Sequence, residues 1–322
     1  MKRALVTGGA GFIGSHLVER LLGAGYEVRV LDDFSTGRRE NLAAFASDAR
    51  LTVTAGDVTD LDLTCRAAEG VDEVYHLAAA VGVTLIVAQP VRTLETNIRG
   101  TEAALEAAAR AGARFFLASS SEVYGKSERV PFDEDDDLLI GSSRFARWGY
   151  ACSKAVDEFL TMAYVRERGL RATVGRLFNT IGPRQVGTYG MVVPRFVEAA
   201  LAGRPLEVYG SGLQTRTFCD VRDTVEAIHR ATLATDSGGQ VFNIGGDREI
   251  AIADLADRVL AVTKSSAGKK LVSYEKAYGE AIDDMPRRWP RLDRLRRLID
   301  KDWPHYTLED TLAAIIATRK SV

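Results

Sequence analysis

Tyr150 and Lys154, in the run Tyr150-Ala-Cys-Ser-Lys154, stand at i and i+4 of a helical pattern, which sets a phenol and an ammonium one turn apart on one face. A positive neighbour favours the phenolate, and each unit by which a phenol falls from its pKa of about 10 requires about 1.4 kcal/mol of such stabilisation. A tyrosine tuned in this way is a general base that can take the proton of an alcohol while hydride leaves the carbon bearing it. A second polar group precedes the pair in ASSSEVYG, residues 118–125. There Ser120 or Ser121 can bridge a substrate hydroxyl and the phenol, and Glu122 adds a carboxylate in the same turn. These residue types suit the interconversion of an alcohol and a ketone.

Hydride transfer needs an acceptor, and LVTGGAGFIGSHL, residues 5–17, is built to hold one. Gly8, Gly9, Gly11 and Gly14 lie between an apolar strand and a helical pattern, giving two staggered glycine fingerprints. The first glycine permits a tight turn, a middle one lets the backbone approach a pyrophosphate, and the last lets helix and strand pack closely. Phe12 and Ile13 open the helix, whose free N–H groups and positive end suit phosphates. Asp32 follows Gly14 by 18 residues, at the end of the second strand in VLDDFSTG, with Asp33 beside it. A carboxylate there accepts from ribose hydroxyls and repels a 2′-phosphate, which favours NAD over NADP; Arg38 and Arg39 are the nearby residues that oppose this preference. Asp57 and Val58 in AGDV, after the third strand, are placed to meet the adenine.

These groups require strands that end together at one edge. Strands are expected at 3–7, 27–31, 51–55, 73–76, 114–118, 172–177 and 240–245. Helices are expected at 12–24, about 38–46, 61–68, 92–111, 149–168, 191–202, 221–234, 252–263 and 308–319. Alternation of near-continuous apolar strands with helices implies an α/β fold, a doubly wound parallel sheet of the Rossmann type. Past residue 178 prolines and glycine turns separate shorter elements, which implies a smaller mixed α/β C-terminal domain for the substrate. The division expected is 1–178, with about 219–244 returning to it, against 179–218 and 245–322. The acidic run FDEDDD, 132–137, reads as a solvated loop. Helix 149–168 is apolar nearly all round, so a face beyond the one on the sheet needs a partner; a homodimer through 98–111 and 149–168 is expected.

Bulk composition narrows the classes. The 322 residues are 46% hydrophobic and 27% charged, with a net charge of −2, which argues against nucleic acid or an anionic membrane as partner. Three cysteines, Cys65, Cys152 and Cys219, form no CxxC and read as free thiols of a reducing compartment. No signal peptide or spanning run is evident, so a cytoplasmic protein is expected. The four histidines lack ligand spacing, and no metal is expected.

The ordered set TGGAGFIG, LDDFSTG, GDV, YHLAA, TLETNIRGT, ASSSEVYG, YACSK, RLFNTIGPR, YGSGLQTRTF and RRWPRLD resembles the extended short-chain dehydrogenase/reductase family across essentially the whole chain. The similarity is to its sugar-nucleotide epimerases, dehydratases and decarboxylases. It implies Tyr150 as base, Lys154 as its partner and Ser120 as the family's Ser/Thr. It implies that Leu77, Ala78 and Ala79 line NAD, and that Ser35, Thr36 and Gly37 touch the adenosine phosphate side. On the substrate side it implies Asn179 at the diphosphate, Tyr209 at the base, and Arg216 and Arg288 as phosphate clamps, with a UDP-sugar as substrate.

The family shares an oxidation at sugar C4, and the fate of the 4-keto sugar separates its members. A 4,6-dehydratase is disfavoured because the turn holds Ser120-Ser121-Glu122 without an aspartate. The SEVYG turn and the R-x-P at Arg288 resemble UDP-glucuronate decarboxylases, whereas HLAAAVGVTLIVAQP, 76–90, departs from them after HLA. The sequence thus reads first as a UDP-glucuronate or UDP-glucose 4-epimerase with retained NAD, and second as a UDP-glucuronate decarboxylase. Arg195, if it faces the sugar, could hold a C6 carboxylate.

Overall fold

The computed structural model describes residues 1–188, 190–234, 238–278 and 283–320. Its first half runs β1 (Arg3–Thr7), α1 (Phe12–Gly23), β2 (Glu27–Asp32), β3 (Leu51–Ala55), α2 (Leu61–Ala67), β4 (Glu73–His76), α3 (Val83–Ala88), α4 (Pro90–Ala111), β5 (Arg114–Ser120), α5 (Ala146–Arg168) and β6 (Ala172–Leu177). Then come β7 (Thr180–Ile181), α6 (Val192–Leu201), β8 (Leu206–Tyr209), β9 (Thr215–Thr217), β10 (Cys219–Asp220), α7 (Val221–Leu233) and β11 (Gln240–Ile244). The chain closes with β12 (Glu249–Ala251), α8 (Ile252–Thr263), β13 (Lys269–Val272), α9 (Tyr274–Tyr278), β14 (Arg287–Arg288), α10 (Asp293–Leu298) and α11 (Leu308–Lys320).

Seven strands form one parallel sheet in the order β3-β2-β1-β4-β5-β6-β11. β4 is buried along its whole length and β6 in all but its last residue, as strands covered on both faces must be. One face carries α1 and α7 over Val6, Val30, Phe116 and Ile244; the other packs Leu5, Val74, Phe115 and Val174 against Ala104, Leu105 and Ala108 of α4. The strand order reverses between β1 and β4, so a crevice opens at their carboxyl ends, where open α/β sheets bind ligands. Three small sheets (β10-β7, β12-β9-β14 and β13-β8) and α6, α8 and α11, packed around Phe196, Leu206 and Leu255, stand on the C-terminal side of the chain.

The glycines act where the turn demands them. Gly8 has φ of 70°, and a Cβ there would lie 2.7 Å from the Ala78 nitrogen. At Gly14 a Cβ would come within 2.1 Å of the Gly8 carbonyl oxygen, so α1 could not start against the β1 turn. α4 has proline in its first turn and ends at Gly112, in the left-handed region at φ 64°.

Two expectations need correction. Residues Arg39–Phe45 form a 3-10 helix rather than an α-helix. The acidic run is not simply solvated, for Phe132 and Glu134 are buried and Glu134 accepts the Asn243 N–H at 2.9 Å. Its alternation turns one carboxylate inward to cap β11 while its neighbours meet water. In keeping with its apolar pattern, helix α5 is not enclosed within one chain, since Phe159 is 71% and Val156 39% exposed.

Candidate active site

A cavity of about 540 Å³ runs along the carboxyl edge of the sheet and joins the glycine turn to the small sheets. Its cofactor side is lined by Gly8, Gly11, Phe12, Ile13, Gly14, Asp32, Asp33, Ser35, Thr36, Asp57, Val58, Leu77, Ala78 and Ala79. α1 begins at Gly11 with no side-chain cap, leaving its first-turn N–H groups to a ligand. The Asp32 carboxylate accepts the Ala10 N–H at 2.9 Å and the Phe34 N–H at 2.8 Å. Burial raises its pKa, and those two bonds oppose the rise. A bare glycine cradle beside a helix start, with a carboxylate past the next strand, fits a dinucleotide diphosphate and ribose. Gly37 does not line the cavity: it packs on Asp32, where a Cβ would lie 2.7 Å from Oδ1.

Ser120, Glu122, Tyr150 and Lys154 line the middle of the same cavity. β5 delivers the serine turn, and α5 presents the phenol and the ammonium. The expected lowering of the phenol rests on this ammonium together with the positive charge of a nicotinamide, and the ammonium alone does not supply it. Burial raises the Tyr150 pKa, outweighing the lowering by Lys154 and by the hydrogen bond with Ser120, while Glu122 raises it further. The phenol is therefore protonated until a further positive charge comes beside it. The Lys154 ammonium donates to the Asp157 carboxylate at 3.0 Å.

Ser121 is wholly buried and does not reach the cavity; it accepts from the Arg288 guanidinium. Arg288 also donates to Glu122 at 2.6 Å, and its Nε is buried without a partner. Burial lowers the Arg288 pKa to about 10, which leaves it charged near neutrality. Glu122 takes two further bonds from Arg147, at 2.9 and 3.1 Å. Burial opposes its charge, but Arg147 and Arg288 together hold its pKa below the ordinary carboxylate value. Arg147 also reaches Asp284 at 2.5 Å, and Arg216 donates to the same Asp284 oxygen at 2.9 Å. Asp284 is desolvated, yet Arg216 and Arg147 bring its pKa to about 2.

Sequence reasoning missed Arg147, Asp284 and Tyr274, whose hydroxyl donates to Asp284 at 2.7 Å. Arg147 carried a usable signal, lying three residues before Tyr150 and hence one turn away on its helix. Asp284 carried none, because its partners are distant in the chain. Asn179, Tyr209 and Arg195 line the far end. Asn179 donates to the Thr217 carbonyl at 2.8 Å, tying the segment after β6 to β9. The Arg195 guanidinium lies 3.6 Å above the Tyr209 ring, with Nε and Nη1 buried and unpartnered, so it is no ordinary surface arginine. Outside the cavity, His305 meets Asp223 and Glu226, but both Asp223 oxygens already accept backbone N–H groups, of His305 and Tyr306.

Fold and cavity together are those of an α/β dinucleotide-binding protein whose crevice continues to a far end lined by Arg195, Arg216 and Arg288. The chain belongs to the NAD dependent epimerase/dehydratase family, whose model matches residues 4–245. It is 38% identical over 298 residues to a UDP-N-acetyl-alpha-D-glucosaminuronate decarboxylase of Bacillus cytotoxicus, covering 92% of this chain and 91% of that one. It is 36% identical over 325 residues to UDP-glucuronic acid decarboxylase 1 of Arabidopsis thaliana, covering 98% of this chain and 69% of the relative. Among solved structures it resembles a UDP-glucuronic acid 4-epimerase of Bacillus cereus in complex with UDP-glucuronic acid and NAD. That match has a TM-score of 0.87 and 26% identity over 99% of each chain. No helix among the described residues is long and apolar enough to cross a membrane.

Proposed function

We propose that the protein is an NAD-dependent UDP-hexuronate decarboxylase, acting on UDP-glucuronate or its 2-acetamido counterpart. The observation that carries this is the Glu122–Arg288 pair beside Tyr150, with the Arg288 Nε left for a substrate group. Decarboxylase relatives spanning nearly the whole chain support it over the 4-epimerase that the sequence alone ranked first.

The glycine cradle and Asp32 would hold NAD, which supplies the hydride acceptor for C4 and later returns the hydride. Tyr150, helped by Lys154 and Ser120, takes the C4 hydroxyl proton and later gives it back. The resulting sugar is a β-keto acid. When its C5–C6 bond breaks, the electron pair moves toward the C4 carbonyl, carbon dioxide departs, and C5 then takes a proton from solvent water to restore the ketone. Tyr150, Lys154 and Ser120 then face the oxygen where negative charge grows. Arg288 orients the carboxylate that leaves. An arginine already paired with Glu122 holds that group in place without heavily stabilising its charge, which suits a group that must become neutral. Asn179, Arg216 and Tyr209 serve the nucleotide diphosphate, and Arg195 backs Tyr209. Two copies pair through α4 and α5, covering Phe159 and Val156.

Incubation with UDP-glucuronate and with UDP-N-acetylglucosaminuronate, read by product NMR and carbon dioxide release, tests the reaction. A UDP-pentose from either is the expected product. A 4-epimeric uronate with no gas released would instead establish the second reading, which the likeness to the Bacillus cereus 4-epimerase favours.

A further inference from the structure

One buried carboxylate stands behind the site and has no part in the steps above. Asp157 lies one turn beyond Lys154 on α5; it is 0% exposed and Lys154 2%. Its Oδ2 accepts from the Lys154 ammonium at 3.0 Å, while Oδ1 is buried and finds no comparable partner. A helix position facing sheet and α4 would ordinarily be apolar, and an ionised group there is costly unless it compensates another charge. Lys154 is that charge. An ammonium so enclosed tends to lose its proton, and a neutral amine would do nothing for a phenolate.

We propose that Asp157 is a positioning residue of the hydride-transfer site, keeping Lys154 charged and aimed at Tyr150. The surrounding groups leave this task to Asp157. On α5 itself, Glu158 also favours the ammonium, but less than Asp157, being paired with Arg176 of β6 at 2.8 Å and bonded by Ser119 of β5 at 2.5 Å. From α4 comes only the Thr101 hydroxyl, which lies beside Asp157 and bonds His76 of β4 at 3.1 Å. His76 is held neutral by burial and adds no counter-charge. In the serine turn, Glu122 is taken up by Arg147 and Arg288. Besides burial, the charged groups that act most on the phenol are Lys154, Glu122 and Arg288, so Asp157 works through Lys154 rather than on Tyr150 directly. One ammonium proton goes to Asp157, and the other two stay available on the cavity side, where Lys154 forms part of the wall.

The inference rests on the assignment of Tyr150 and Lys154, not on the fate of the keto sugar. Its test is the phenolate absorbance of Tyr150 in NAD-loaded protein, titrated with pH as a difference against Tyr150→Phe. In Asp157→Asn the midpoint should rise by about one pH unit or more, roughly a tenfold weaker ionisation. Turnover near neutral pH should fall roughly tenfold with KM for the UDP-sugar unchanged. Asp157→Ser, which removes the same charge and leaves room for water, is titrated in parallel, and thermal melting of both checks folding. A phenol midpoint that stays put or falls in the folded variants overturns the inference. An upward shift in a protein that decarboxylates neither uronate supports it and removes only the reaction proposed above.

Discussion

At the residue scale the site depends on one phenol whose proton affinity is set by opposing neighbours. Burial and Glu122 raise it, and Lys154, Ser120 and Arg288 lower it. Tyr150→Phe removes the hydroxyl and keeps the ring that fills the site. We expect turnover to fall by roughly a hundredfold or more, the range general base catalysis supplies, while NAD still copurifies, as absorbance after denaturation would show. Activity within a few fold of the wild type would reject Tyr150 as the base. The phenol and ammonium were legible in sequence because both lie on one helix at a fixed spacing. Glu122 was legible as a residue but not in its role. Its charge is set by Arg147, 25 positions away, and by Arg288, 166 away, and no local pattern encodes such pairs.

Elements were read more fully than contacts, because periodicity and glycine placement are local. β1, α1 and β3 fall where their apolar pattern and turn residues put them. The helical stretch expected at about 38–46 folds as a 3-10 helix over Arg39–Phe45, with Leu42 its single buried residue. A segment with so little to bury gains little from a longer helix. Helix α5 poses the opposite problem, since it has more apolar surface than its own chain can cover. Phe159 at 71% exposure is large enough to act as an anchor if a second copy packs there. Phe159→Glu places a charge in that contact while touching nothing in the cavity. Light scattering after size exclusion should give the mass of two chains for the wild type and of one for the variant. A wild type already of single-chain mass would exclude the α4–α5 pairing.

Across the whole molecule, buried polar groups join the sheet to its helices, and their titration should show in global stability. His76 on β4 bridges Thr7 of β1 at 2.8 Å and Thr101 of α4 at 3.1 Å. Thr101 in turn lies beside Asp157, so one hydroxyl links the sheet to the site's charged pair. Burial lowers the His76 pKa to about 3, and burial with Arg20 nearby lowers that of His229 to about 4. An unfolded chain protonates both near pH 6.5, whereas the folded chain does not until far lower pH. Between those limits the unfolded state binds more protons, so stability falls as pH falls, and above about pH 7 these residues contribute no slope. Each histidine should add about 1.4 kcal/mol per pH unit within its window. The carboxylates lowered in the fold, such as Asp284 and Glu122, lose their stabilising share as pH falls below their unfolded values of 3.8 and 4.5. Between about pH 6 and 4.5 the histidines lower stability as pH falls, while Asp32, Glu134, Asp157 and Asp223, raised by burial, act in the opposite sense, so His76 is read from the difference between wild type and variant. Denaturant unfolding of wild type and His76→Asn across that interval should show a shallower slope in the variant, by about one proton, on top of its lower stability. Parallel curves would mean that His76 is protonated in the folded protein, and that the bridge between β1 and α4 carries a charge that Lys154 and Asp157 must also accommodate.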